Sequence, residues 1–156
     1  MTPSTPRLAI RYPARIRVDA DLELKLVEDA DSGRIFELTN QDRAYLRRWL
    51  PWVDGTRTVE DTRQFVRRAE EQVRATDGFQ ACVEYRGELA GMIGYHFHDW
   101  SNRRTEIGYW LTEPLQGRGI MTRSCRALVD FAFGSLGLNR VEIRVVAENR
   151  RSRAIP

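Results

Sequence analysis

The spacing of apolar residues switches between two and three-to-four along this chain, and each switch marks an element. Leu22 to Val27, LELKLV, alternates and predicts a strand. Asp29 to Leu38 fits a short helix, with Asp29 or Asp31 as its cap. Arg43 to Trp52 carries YLRRWLPW and reads as a helix end broken at Pro51, whose ring cannot continue the hydrogen-bond ladder. Thr58 to Ala75 is amphipathic. Phe65, Val66, Ala69 and Val73 form its apolar stripe, and Thr58 with Asp61 makes a capping box with a shortened acid.

Period two then returns. Phe79 to Tyr85 and Leu89 to His98 predict two strands, joined at Arg86-Gly87-Glu88 by a hairpin with glycine at its turn. Glu106 to Leu111, EIGYWL, predicts a third strand. From Gly119 the helical period resumes: Met121, Cys125, Leu128, Ala132 and Leu136 share one face, and Gly137 is a natural stop. Arg140 to Ala147, RVEIRVVA, alternates again. A strand–helix–strand unit of this kind implies a parallel pair joined by a crossover. Alternation also puts His96 and His98 on one strand face. Two histidines without a third ligand make a poor metal site, so they read as packing or cleft residues.

The 156 residues fit one domain, 1–156, with a Pro-rich loose arm over about 1–12. No apolar run is long enough to span a membrane, and MTPSTPR lacks the apolar stretch of a secretion signal. Cys82 and Cys125 lie far apart in apolar runs, which points to free thiols in a reducing cytoplasm and not to a disulfide framework. The net charge of +3 mildly favours an anionic partner. The arginines are spread over the chain and interleaved with acids, which argues against nucleic acid.

The stretch QGRGIM, residues 116–121, joins a strand to the start of a helix. Such an end carries unpaired N–H groups and about half a positive charge, so anions bind there. Gly117 and Gly119 remove the Cβ atoms that would hold a phosphate away. By spacing alone, a tight turn explains these glycines equally well.

EIGYWLTEPLQGRGIMTRSCRALVDFAF followed by LGLNRVEIRVVAENRRSRAIP resembles the GNAT acyltransferase superfamily, and within it the RimJ/RimL-type N-acetyltransferases. The likeness is most specific from about Glu106 to Pro156 and extends more weakly over WLPW and the hairpin. Met121 stands where the superfamily loop usually has glycine or alanine, a familiar form in the RimJ/RimL branch. The resemblance implies an α/β (α+β) fold: a mixed, mostly antiparallel sheet with a splayed parallel strand pair and helices on both faces. It implies acetyl-CoA as donor, with no metal, and a primary amine as acceptor, either a protein N-terminus or a small amine. The backbone of Gln116, Gly117, Arg118, Gly119, Ile120, Met121 and Thr122 is then expected to hold the pyrophosphate. Trp110 and Leu111 are expected to pair with the pantetheine arm as an added strand would. Asn149 matches an asparagine that reaches the pantetheine, and Arg118, Arg123 and Arg153 are candidates for the 3′-phosphate, each with a solvated surface role as its alternative.

The reaction is then attack of an amine on a thioester. An α-amine, with a pKa of about 7.7–8.0, loses its proton more readily than a lysine-like amine near 10.4. A backbone N–H near Tyr109–Leu111 could polarise the carbonyl. Glu106 is a candidate to take the proton through water, or else an edge carboxylate paired with Arg103, Arg104 or Arg144. Ser152 is a candidate to protonate the thiolate, or else a helix N-cap. Trp49 and Trp52 fit the wall of an acceptor cleft or, more ordinarily, core.

Relatives usually continue past SRAIP into a short helix and two more strands, so the final strands are expected to be missing here. RVEIRVVA would then be an open edge, which favours self-association as a homodimer. The alternative for a chain of that kind is a truncated or pseudo-enzyme that binds CoA without turning it over.

Overall fold

The computed structural model describes residues 10–156. Six strands form one sheet in sequence order: β1 (Arg15–Arg17), β2 (Leu22–Leu26), β3 (Phe79–Tyr85), β4 (Glu88–Asp99), β5 (Arg104–Leu111) and β6 (Arg140–Ile143). Neighbours run antiparallel except β5 and β6, which are parallel. Helix α4 (Ile120–Gly134) makes the crossover between them. The sheet is therefore mixed and mostly antiparallel, as expected.

Two apolar clusters lie on opposite faces of this sheet. On one, α4 supplies Met121, Cys125, Leu128 and Ala132 against Phe79, Ile93, Tyr95 and Ile107. Those helix positions are the predicted stripe. On the other face, α1 (Ser32–Gln41) and α3 (Val59–Arg74) supply Ile35, Val66 and Ala69 against Cys82 and Met92. Burial of apolar area on both faces is the main stabilising contribution, at roughly 25 cal/mol per Å².

Local rules set several boundaries. Thr58 Oγ1 accepts the N–H of Asp61, whose carboxylate accepts the N–H of Thr58, so the shortened capping box forms. The β3–β4 hairpin is tighter than expected. Arg86 and Gly87 both take positive φ, 51° and 81°, the conformation of a two-residue turn matched to strand twist.

Other boundaries differ from the sequence reading. Residues 29–31 form a 3-10 turn that leads into α1, which runs on to Gln41. Neither Asp29 nor Asp31 caps the helix through its side chain. Instead Asp31 accepts from the N–H of Glu28 at 2.9 Å and from Lys25 Nζ at 2.6 Å. The YLRRWLPW stretch contains one short helix, α2 (Arg43–Leu46), and a second 3-10 turn at Pro51–Gly55. The arm predicted over about 1–12 falls mainly outside the described residues. Its last residue, Tyr12, is packed and not loose: it stacks on Phe79 with ring centroids 5.2 Å apart.

A bulge in β4 changes the histidines. Tyr95 pairs with Ile107 and His98 with Thr105, so β4 carries one residue more than β5 over this interval. His98 consequently shares the α4 face with Tyr95, while His96 stays on the α1/α3 face of Met92. The expectation that both lie on one face fails for that reason.

Candidate active site

Pairing of β5 with β6 stops at Ile107↔Ile143. Beyond it, β5 continues to Leu111 without a neighbour on that side. Thr112 donates its N–H to Ala90 in β4, so alternation turns the N–H groups of Tyr109 and Leu111 the opposite way, into the gap. A narrow slot of about 50 Å³ occupies this gap, lined by Trp49, Tyr109, Leu111, Met121, Asn149 and Ser152 among others.

After β5 the chain turns through Glu113–Leu115 into the glycine loop. Gln116 ties that loop to the strand, donating through Nε2 to the carbonyl of Leu111 at 3.0 Å. Gly117 and Gly119 take φ of 78° and 73°, where a side chain is strained. A Cβ on Gly117 would meet nothing within 4 Å, so the space above the loop is open. The N–H of Gln116 is already given to Glu113. Those of Gly117 through Thr122 find no acceptor among the described residues, and Gly119, the N-cap, has no side chain to offer. Gln116 is thus removed from the expected row of donors, while the other six expected positions remain. These groups border a cavity of about 290 Å³ that also touches Arg151 and Ile155.

The remaining expected residues divide. Asn149 Oδ1 accepts the N–H of Ser152 at 3.2 Å and so caps α5 (Arg150–Arg153). Asn149 is therefore the cap, and Ser152 is not. Ser152 Oγ donates to Tyr109 Oη at 3.2 Å, and that hydroxyl donates to the Ser152 carbonyl at 2.9 Å. Burial pushes the Tyr109 phenol above its ordinary pKa, so it is held protonated. Arg123 is committed to Asp19, and Arg153 donates to the Ala147 carbonyl at 3.0 Å. Arg118 has no such partner among the described residues, and neither does Arg151.

Glu106 lies beyond both the slot and the loop cavity. Its carboxylate sits 3.0 Å from Arg144 Nε, though without hydrogen-bond alignment. The ion-pair alternative is the one the structure contains. Both thiols are free and buried, and burial raises them to about 12 for Cys82 and about 11 for Cys125, too high for nucleophiles.

A larger cavity, about 460 Å³, opens on the α1/α3 face of β4 and β5. Trp52, Phe65 and Trp110 give it aromatic walls, and Asp61, Gln80 and His96 give it polar ones. Trp52 is 43% exposed, and its ring meets that of Trp110 at 6.2 Å. It is a cavity wall, and the ordinary core reading fails for it. The slot and this cavity share Leu50, Tyr109 and Trp110. Sequence reasoning missed Arg151; for His96 it left packing or a cleft, and the cleft alternative is the one the structure contains. Plain alternation from Met92 sends His96 there; the bulge, which alternation does not reveal, moves His98 to the other face.

The fit to a CoA thioester is good on this chain's own features. A row of unpaired N–H groups suits a pyrophosphate, and an unpartnered strand edge suits an amide-bearing arm.

Comparison with known proteins agrees. Residues 21–156 match the acetyltransferase (GNAT) domain family. The chain is 36% identical over 141 residues to YdaF of Bacillus subtilis (strain 168), covering 90% of this chain and 77% of that protein. It is 28% identical over 140 residues to the ribosomal-protein-serine acetyltransferase of Escherichia coli (strain K12), covering 90% and 78%. The solved structure of RimL, a ribosomal L7/L12 alpha-N-protein acetyltransferase in complex with coenzyme A, superposes with a TM-score of 0.87 at 26% identity, over 90% of this chain and 80% of that one. The chain belongs to the GNAT acetyltransferase family, whose enzymes move an acetyl group from acetyl-CoA to an amine.

Proposed function

We propose that this enzyme acetylates the α-amine of a protein N-terminus, serine-initiated chains being the first class to test. The observation that carries the reading is the meeting of two cavities at Tyr109 and Trp110, beside a row of N–H groups without acceptors. The names of two relatives, one acting on ribosomal-protein serine and one on an alpha-N-protein group, supply the acceptor class.

In this reading Gly117 through Thr122 hold the pyrophosphate through backbone N–H groups, with Arg118 and Arg151 adding charge. Trp110 and Leu111 hold the pantetheine along the free edge of β5, and Nδ2 of Asn149 remains available to it. The donor supplies an activated acetyl thioester. The N–H of Tyr109 or Leu111 stabilises the oxyanion that develops as the amine attacks. The Tyr109–Ser152 hydroxyl pair hands a proton to the departing thiolate. Positioning two reactants in adjoining cavities supplies much of the remaining acceleration.

Calorimetric titration with acetyl-CoA of the wild-type chain and of Gly119→Glu tests the donor half. The variant places a bulky negative side chain at positive φ, where the pyrophosphate would lie. Micromolar binding by the wild type that the variant loses is expected. No binding by a folded wild-type chain would sink the reading. A screen of peptides with different first residues then tests the acceptor half.

A further inference from the structure

We infer that His96 is the group that takes the proton from the acceptor amine. The inference rests on the amine-acetylation reading above. Alternation along β4 carries His96 onto the same α1/α3 face as Met92, into the cavity that reaches Tyr109 and Trp110. There its ring lies against the backbone of β5 at Gly108. A Cβ built on Gly108 would stand 2.0 Å from His96 Nε2 and 2.4 Å from its Cε1. Glycine at this strand position is the condition for the ring's placement, because any side chain would expel it.

The imidazole is also uncommitted. Its backbone carbonyl accepts from Gln72 Nε2 at 2.9 Å, but neither ring nitrogen has a hydrogen-bond partner among the described residues. Unlike His98, which is buried and held by Thr105, His96 is exposed, so its ring nitrogens are open to a group that enters the cavity. Glu106, the carboxylate nearest along β5, is engaged by Arg144 and lines neither the slot nor the cavity. The charged groups that share a cavity wall with His96 are Asp61, Arg68 and Glu71 on α3 and Asp77 just beyond its C-terminal end. Asp61 is the one fixed by backbone donors, the N–H groups of Arg57 and Thr58.

The step balances as follows. The ammonium form of the acceptor gives one proton to a ring nitrogen of His96, directly or through one water, which leaves a neutral amine and an imidazolium. The amine lone pair forms the C–N bond to the thioester carbonyl carbon, and the C–S bond breaks with its pair leaving on sulfur. The nitrogen's surplus proton passes to solvent, and the thiolate takes its proton from the Tyr109–Ser152 pair. Imidazole as a class exchanges protons near neutral pH, which suits an α-amine acceptor.

The test uses the full chain, acetyl-CoA and a synthetic hexapeptide with a free N-terminal serine, followed by thiol release. His96→Gln should bind acetyl-CoA within about twofold of wild type by calorimetry, because the ring lies outside the slot and loop cavity. Its kcat/KM should fall about 10²-fold. The acidic limb of the wild-type pH profile should disappear. His96→Ala should regain rate on addition of free imidazole, which a purely structural role would not permit. A His96→Gln enzyme with wild-type rate and pH profile would overturn the assignment. A wild-type chain that binds acetyl-CoA but releases no thiol with the peptide would overturn the serine-amine reading, and the role of His96 with it. The two failures differ in whether the wild type turns over.

Discussion

Gln116 and Leu111 are joined side chain to main chain at 3.0 Å, and this one bond fixes the glycine loop to the end of the donor strand. The Leu111 carbonyl faces the gap left by β6, so no strand neighbour competes for it. Gln116→Leu keeps the bulk and removes the donor. A hydrogen bond of this kind contributes about 1 kcal/mol net, so acetyl-CoA affinity should weaken roughly fivefold in calorimetry. The far-ultraviolet spectrum should not change. An unaltered affinity would mean that the loop holds its shape without the clasp.

The Tyr109 and Ser152 hydroxyls are hydrogen-bonded to each other, and both residues line the slot. Removing the phenolic oxygen by Tyr109→Phe should lower kcat by about 10²-fold at saturating substrates. Donor affinity should stay within about threefold, since the ring remains. A fall in affinity with kcat intact would assign Tyr109 to binding and not to proton delivery.

Acid should destabilise this protein through His98, which is only 5% exposed. Thr105 Oγ1 donates to the Phe97 carbonyl, so its contact with His98 Nδ1 requires the proton on Nδ1, leaving Nε2 bare and buried without a donor among the described residues. Burial pushes the His98 pKa from 6.5 down to about 4, and Asp77 pulls it back in part. At pH above about 6.5 the ring is neutral in both states and stability is complete. Between about 6.5 and 4 the unfolded chain binds a proton that the folded chain refuses. Stability should fall across that window by on the order of 3 kcal/mol. Urea melts at a series of pH values measure the slope, and His98→Phe should flatten it.

Tyr95 reaches across the core to α4, donating to the Leu128 carbonyl at 2.5 Å from a fully buried position. Tyr95→Phe keeps the ring and leaves that carbonyl one donor short. A loss of about 1–3 kcal/mol is expected. It should appear as a lower urea midpoint with an unchanged slope.

The pattern of apolar positions gave away most elements because burial on two helix-covered faces enforces it. Val66 and Ala69 on α3, and Leu128 and Ala132 on α4, repeat at helical spacing since each must meet the sheet. The glycine loop was legible for a different reason: positive φ at Gly117 and Gly119 leaves few residue choices. What stayed hidden depends on partners distant in sequence. Arg123 is one of three candidates for the 3′-phosphate with a surface role as the alternative, and its ion pair with Asp19, far back in the chain, has no local signal. Asn149 looked like a cofactor contact, and its nearest use is the cap of a short helix that has no periodic signal. Strand β1 has only three residues and no alternation long enough to detect.

The extra residue in β4 acts as a parity switch. Every position before it obeys one odd–even rule of facing, and every position after it obeys the reverse. Deleting Phe97 would restore a single rule along the strand. His98 would then follow His96 directly, keep its pairing with Thr105 and stay on the α4 face beside Tyr12 and Tyr95. One extra residue is thus enough to put two histidines that stand two places apart on opposite faces, one in the core and one on the cavity wall.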